Sequence, residues 1–169
     1  MTIRAARDDD FAAITAITNH YIATTAIHFA YEPVTAGSLA DTWRAHERHP
    51  WLVIEDGGAV TGYAKAGVWR ERTAYQWTCE VGLYIAHDAR GRGLGRAIYT
   101  ALLAECQARG FHSAIAGITM PNDASVALHA RLGFESVGVV REAGFKHGRW
   151  HDVAFFQKRL TSAAPAGPP

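Results

Sequence analysis

Glu80 interrupts the apolar run Thr78-Cys79-Glu80-Val81-Gly82-Leu83-Tyr84-Ile85, and Arg90-Gly91-Arg92-Gly93-Leu94-Gly95-Arg96 follows a few residues later. A carboxylate inside a strand-like run is expensive to bury, so a use for it is worth seeking. The alternative is a structural carboxylate on an exposed sheet face. The loop suggests more by itself. Its glycines let backbone N–H groups approach a ligand closely, and a helix opening just beyond adds partial positive charge. Arginines supply further donors, so a phosphate or pyrophosphate fits there. A dinucleotide fingerprint would need glycine where Arg96 stands, and a P-loop would need a Gly-Lys-Ser/Thr ending that is absent. A solvated turn before a basic helix start is the plain alternative.

The elements that must position these residues follow from periodicity. Thr2 to Ala5 reads as a short strand. Phe11, Ile14, Ile17 and Tyr21 recur at helical spacing after the acidic start Arg7 to Asp10. The stretch ATTAIHFAYEPVT is expected to be a loop, and a second helix runs from Ser38 to about His49, where Pro50 stops it. Two β-prone runs flank Asp56-Gly57-Gly58, a hairpin signal. In the strand from Gln76 to Ala86, Trp77, Cys79, Val81, Leu83 and Ile85 share one face, and Glu80 shares the other with Thr78, Gly82 and Tyr84. Leu94, Ile98, Leu102 and Cys106 form a helical stripe closed by Gly110. SAIAGITM is a strand, and Pro121-Asn122-Asp123 opens a short helix ending at Gly133. Two last strands lie around Ser136–Val140 and Val153–Phe156, with GFKHGRWHD as a turn-rich join. The order implies a mixed α/β (α+β) sheet with helices on both faces.

Length and composition bound the function. The 169 residues suit one domain over 1–160, with 161–169 a flexible tail. A net charge of +1 gives no field for nucleic acid or an anionic membrane, and no apolar run is long enough to cross a bilayer. Cys79 and Cys106 make neither a disulfide framework nor a zinc site, which points to a cytoplasmic compartment. His46 and His49 flank Glu47 without further ligands, so no metal is expected.

Arg90-x-x-Gly93-x-Gly95 between strand and helix resembles the pyrophosphate-binding motif of the GNAT acyl-CoA N-acetyltransferases. PNDASVALHARLGF resembles that family's next motif, with Asn122 at a helix start and Leu132-Gly133-Phe134 at its end. NHYIATTAIHF, GVWRERTAYQWTCE, PNDASVALH and GFKHGRWHDV are similar to the phosphinothricin acetyltransferase subgroup. The resemblance runs from near residue 2 to about residue 160. It implies a GNAT fold of about seven mostly antiparallel strands with a splayed pair, and acetyl-CoA as co-substrate. The acceptor implied is the α-amine of a small amino-acid-like compound such as phosphinothricin, methionine sulfone or sulfoximine. A homodimer is also implied.

Carried onto this sequence, the resemblance assigns the pantetheine arm to the backbone of Leu83, Tyr84 and Ile85. It assigns the pyrophosphate to amides of Gly91, Arg92, Gly93, Leu94, Gly95 and Arg96 beside Arg90, and places Asn122 nearer the thioester. Glu80 matches the subgroup's general base. His129 stands where many relatives carry a tyrosine acid, and either protonates the departing thiolate or helps remove the amine proton. Phe29, Arg70, Arg72 and Tyr75 match acceptor-binding positions, while Trp150, His151 and Asp152 match a block shaping the last hairpin. Lys65 and Gly117 depart from relatives with an aromatic and a larger apolar residue there. A different amine acceptor, or a CoA-binding sensor without catalysis, is the competing expectation. A sensor has no need of Glu80 and His129 together.

Overall fold

The computed structural model describes residues 1–164; the last five residues of the expected tail lie outside the described part. Its strands are β1 (Thr2–Ala5), β2 (Trp51–Asp56), β3 (Ala59–Val68), β4 (Thr78–Ile85), β5 (Ser113–Thr119), β6 (Glu135–Lys146) and β7 (Arg149–Arg159). The helices are α1 (Phe11–Thr24), α2 (Ala36–Arg44), α3 (Leu94–Ala108) and α4 (Asp123–Arg131). The seven strands form one sheet in the order β1-β2-β3-β4-β5-β7-β6. Every neighbouring pair is antiparallel except β4 with β5. The mixed α/β architecture expected from the sequence is present, element for element.

Alternation along the strands divides the core in two. On one face α1 and α2 cover Trp51, Val53 and Tyr63 with Phe11, Ile14, Ile17 and Tyr21. On the other, α3 brings Leu94, Ile98, Tyr99, Leu102 and Cys106 onto Ala64, Ala66, Cys79, Val81 and Ala116, and α4 adds Val126 and Leu128. Gly57 and Gly58 both hold positive φ, 63° and 83°, in the two-residue turn joining β2 to β3.

Two boundaries differ from expectation. The second helix starts two residues early because the Thr35 side chain accepts from the Ser38 N–H at 3.1 Å, and it ends at Arg44. Beyond it the backbone tightens into short turns, His46 N–H to Trp43 O and His49 N–H to His46 O, since the residue before Pro50 is kept from the helical region. The second difference is larger. Most of GFKHGRWHD is strand, with Gly144 facing His151, Phe145 facing Trp150 and Lys146 facing Arg149. Only His147 and Gly148 turn, at φ 51° and 73°.

That hairpin tip explains its own composition. Lys146 is buried, and its ammonium donates to the carbonyls of Ile22 at 2.5 Å and His28 at 2.7 Å. His147 pairs with the Thr25 carbonyl, and the Tyr31 hydroxyl donates to the Phe145 carbonyl. A Cβ on Gly144 would collide with the Phe29 ring. The hairpin thus holds the α1–α2 loop, residues 25–35, in place. Replacing Lys146 by Met leaves two carbonyls without their charged donor, so urea unfolding is expected to show a loss of roughly 2–3 kcal/mol. An unchanged midpoint would mean that water replaces the ammonium at no cost.

Candidate active site

The pairing of β4 with β5 ends early. Thr78, Cys79 and Glu80 face Ser113, Ala114 and Ile115, and no pair follows, although β4 continues to Ile85 and β5 to Thr119. Their outer edges stay paired, β4 to β3 as far as Ile85 and β5 to β7 as far as Thr119. The strands therefore part like a fork, with Glu80 at the last rung before the split. A small cavity of about 90 Å³ lies inside, lined by Gly82, Tyr84, Tyr99, Gly117, Asn122 and His129 among others. A groove of about 350 Å³ adjoins it along Leu83, Ile85, Arg90, Gly91, Gly93, Leu94, Gly95 and Asn122.

Local sequence dictates how the groove's walls form. Gly93 precedes α3 in the left-handed region, φ 77°, and no side chain caps the helix, so its first N–H groups remain open as donors. A Cβ on Gly95 would come within 3.3 Å of Leu83, so glycine lets α3 lie against the splayed strand. Asn122 caps α4, its side-chain oxygen accepting from Ser125 N–H at 3.2 Å. The guanidinium of Arg90 packs over the Tyr21 ring at 5.1 Å, and the Tyr21 hydroxyl donates to the Ile85 carbonyl at 2.7 Å. Arg92 instead pairs with Asp56, and Arg96 is exposed outside the groove's lining. Open helix-start donors, a free strand edge and a nearby arginine match an extended chain bearing a pyrophosphate.

Glu80 reaches solvent at the fork, yet the protein around it raises its pKa above the ordinary glutamate value, with the Lys65 ammonium opposing the shift. His129 is 5% exposed. Its Nδ1 lies 2.8 Å from the Ser125 carbonyl, which only an Nδ1–H can satisfy, so Nε2 accepts from the Tyr99 hydroxyl at 3.1 Å. Burial lowers its pKa, and the Ser125 carbonyl counters in part. The imidazole is thus held neutral, packed edge-on against Phe134 at 4.9 Å.

The expected acceptor residues fall in two places. Arg70, Arg72 and Tyr75 come together with Trp69 and Glu71 around an open hollow of about 490 Å³. Trp69 packs on Phe155, which in turn lies against Gly117, so this hollow connects by contact to the small cavity. Phe29 sits against Gly144 and faces His151, outside the lining of either cavity, where Ile27 of the same loop stands instead. Sequence reasoning misses Ile27, Tyr99 and Ser125 as lining residues and reads Tyr21 only as part of a helical apolar stripe. Ser125 could have been found, four residues before His129 on the same helix; Tyr99 reads simply as core. Among the described residues no three His, Cys, Asp or Glu side chains are grouped to hold a metal, and no helix is long and apolar enough to cross a membrane.

An acetyltransferase (GNAT) domain model matches residues 3–155. The chain belongs to the GNAT acetyltransferase family. It is 46% identical over 98% of its length to a phosphinothricin N-acetyltransferase of Streptomyces viridochromogenes, covering 91% of that protein. It is 39% identical to an L-methionine sulfoximine/L-methionine sulfone acetyltransferase of Salmonella typhimurium, with 98% of each chain aligned. A GNAT phosphinothricin acetyltransferase from Sinorhizobium meliloti, solved in complex with acetyl-CoA, superposes with a TM-score of 0.92 at 36% identity, over 99% of this chain and 92% of that one. This GNAT enzyme is therefore an acyltransferase built on the expected fold. From the geometry of His129, nitrogen-detected NMR is expected to show an Nδ1–H tautomer titrating below the ordinary 6.5. A midpoint at or above that value would contradict the neutral Tyr99–His129–Ser125 arrangement.

Proposed function

We propose that this enzyme transfers acetyl directly from acetyl-CoA to the α-amine of a small amino-acid-like acceptor, with Glu80 as general base. Acceptors of the phosphinothricin, methionine sulfone or methionine sulfoximine type are favoured, the kinds named for its relatives. The observation that carries the reading is the position of Glu80: it is the last paired residue before β4 and β5 part. A carboxylate there is solvent-accessible and one residue from Val81 and two from Gly82, which line the small cavity.

Acetyl-CoA, when bound, supplies the acetyl thioester. Backbone groups of Leu83, Tyr84 and Ile85 along the free edge of β4 are suited to its amide-bearing arm. Main-chain amides from Gly91 to Arg96, with Arg90 beside them, are suited to the pyrophosphate. Arg92 contributes there through its amide, because its guanidinium is engaged by Asp56. Asn122 lines both cavities, which suits it to the part of the arm nearer the thioester. Arg70, Arg72 and Tyr75 are assigned to the acceptor, with guanidinium groups suited to oxygen-rich tails, and Phe29 is assigned to it from behind the loop that carries Ile27.

An α-amine titrates near 8 in a peptide terminus and higher in a free amino acid, so most acceptor arrives as ammonium. Freeing the lone pair costs on the order of 1–3 kcal/mol near neutral pH, within reach of one positioned carboxylate. A raised Glu80 pKa narrows the gap to the amine and makes the proton transfer easier. His129 has the lighter task. A thiol with a pKa of roughly 8.5 leaves as thiolate without much help. We further assign the enzyme to the cytoplasm, consistent with its two free, buried cysteines, and to a homodimer.

Thiol release from acetyl-CoA against phosphinothricin, methionine sulfone, methionine sulfoximine, ordinary amino acids and an aminoglycoside tests the acceptor class. Turnover confined to the first three is expected; turnover of the aminoglycoside alone would overturn it. Glu80→Gln should keep acetyl-CoA affinity while kcat falls about tenfold or more, and His129→Ala should lose less. The sign of the pH effect follows from the raised pKa. Glu80 must be ionised to accept a proton, so wild-type kcat/KM falls as pH drops through that value. In Glu80→Gln this acidic limb should vanish, leaving a residual rate that climbs with the amine's own ionisation. An unchanged limb would remove Glu80 from the base role.

A further inference from the structure

Lys65 sits on β3 directly opposite Gly82 of β4, between the facing pairs Gly67–Glu80 and Tyr63–Tyr84. Residues opposite one another in an antiparallel pair project on the same side, so Lys65 and Glu80 share a sheet face. Gly82 contributes no side chain between them. The helices α1 and α2 cover Trp51, Val53 and Tyr63 on this face, with Val60 and Tyr84 packed at the margin of that cluster, and Lys65 and Glu80 lie outside it. Lys65 is half-buried, with its ammonium 4.8 Å from the Trp51 ring centre.

What sets Lys65 apart is what it lacks. Among the described residues its ammonium has no hydrogen-bond acceptor and no carboxylate in ion-pair contact; Glu80 acts on it only at longer range. The other two lysines flanking the sheet's far end are satisfied. Lys146 has two carbonyls, and Lys158 donates to the Leu132 carbonyl at 2.7 Å. A desolvated ammonium without a partner is unfavourable, and the face of Trp51 compensates only part of that. His28 lies close enough to feel the positive charge of both Lys65 and Lys146. The register thus sets an ammonium without an anionic contact on the same sheet face as the proposed base, one strand away.

We propose that Lys65 binds an anionic oxygen group of the acceptor, so that the preferred substrate is an amino acid held by a carboxylate or phosphinate at this ammonium. The inference rests on the acetyl-transfer reading above and narrows its acceptor class. With the amine at Glu80, the anion at Lys65 is either the α-carboxylate or an acidic tail. Both are the same chemistry to an ammonium, and they differ in how many bonds separate them from the amine.

The test compares wild type, Lys65→Met and Lys65→Arg. Acceptors are phosphinothricin and glutamate with acidic tails, methionine sulfone with a neutral one, and the α-amides of phosphinothricin and methionine sulfone. Thermal unfolding checks that the variants are folded. Wild type should favour one class of anion over its neutral counterpart by about tenfold or more in kcat/KM. Lys65→Met should abolish that preference, mainly through KM, and Lys65→Arg should retain most of it. Loss of discrimination against the α-amides assigns the α-carboxylate; loss against the neutral tail assigns the tail. Ratios unchanged in Lys65→Met overturn the proposal. Calorimetric binding of glutarate, which carries no amine, separates the two readings. Glutarate binding weakened tenfold in Lys65→Met, with no acceptor turned over by wild type, would sink acetyl transfer and leave the anion site standing. Binding indifferent to Lys65 together with no turnover overturns both.

Discussion

The parting of β4 and β5 after Glu80 is the constraint on which the rest of the site depends. Two parallel strands that separate leave backbone N–H and C=O groups facing a gap, and buried groups of that kind must find partners. The protein meets part of that demand from outside the sheet, since the Tyr21 hydroxyl takes the Ile85 carbonyl. It also keeps each strand straight by full pairing on its far edge, with β3 and with β7. The remaining polar edge has no partner of its own in the sheet, which is what a polyamide ligand requires. The fork also fixes where α3 begins. Gly93 and Gly95 let the helix start close to Leu83, so open helix-start donors face the same groove as the unpaired strand edge.

Electrostatics in the fork follow from shared desolvation. Desolvation by the surrounding protein raises Glu80, although it reaches solvent, and lowers Lys65, His28 and His129, so each of these groups is displaced toward its neutral form. Such displacements bring a carboxylate and an amine closer in proton affinity than they are in water. Lys146 and Lys65 show the difference between structural and available charge. Lys146 spends its donors on main-chain carbonyls at the end of α1 and in the loop beyond, while Lys65 holds its charge against an aromatic face.

Much of this was legible in the sequence, for physical reasons. Period-two and helical spacing give the element order, because a sheet covered on both faces demands those patterns. Gly93 and Gly95 mark a helix start whose local geometry favours glycine, a left-handed φ at the first and a close approach to Leu83 at the second. Glu80 could be placed on the correct face by parity alone. Other features depend on contacts distant in the chain. Gly144 to Asp152 reads as turn because Gly, Lys and His are poor strand formers, yet Lys146 finds carbonyl partners more than a hundred residues away. The Arg92 guanidinium reads as a free donor in the sequence, and only the fold sets it beside Asp56. Tyr99 lies within an ordinary apolar helix stripe, and only the fold places its hydroxyl on His129. Local pattern carries no information about such pairings.

The same long-range contacts make the last hairpin a mechanical part of the site although it lies at the sheet's far edge. β7 pairs with β5 along the outer side of the fork, so it holds one prong of the split. Its tip holds the loop that supplies Ile27 to both the groove and the small cavity, through Lys146, His147 and the Phe145 carbonyl. One hairpin therefore sets both the width of the fork and the position of the loop that roofs it. A shift of β7 relative to β5 would move Gly117 and Ile27 together, because Phe155 backs the first and Lys146 tethers the loop of the second. Shape at the fork is in this way a property of the whole sheet edge, and side chains lining the cavities act within limits that the hairpin imposes.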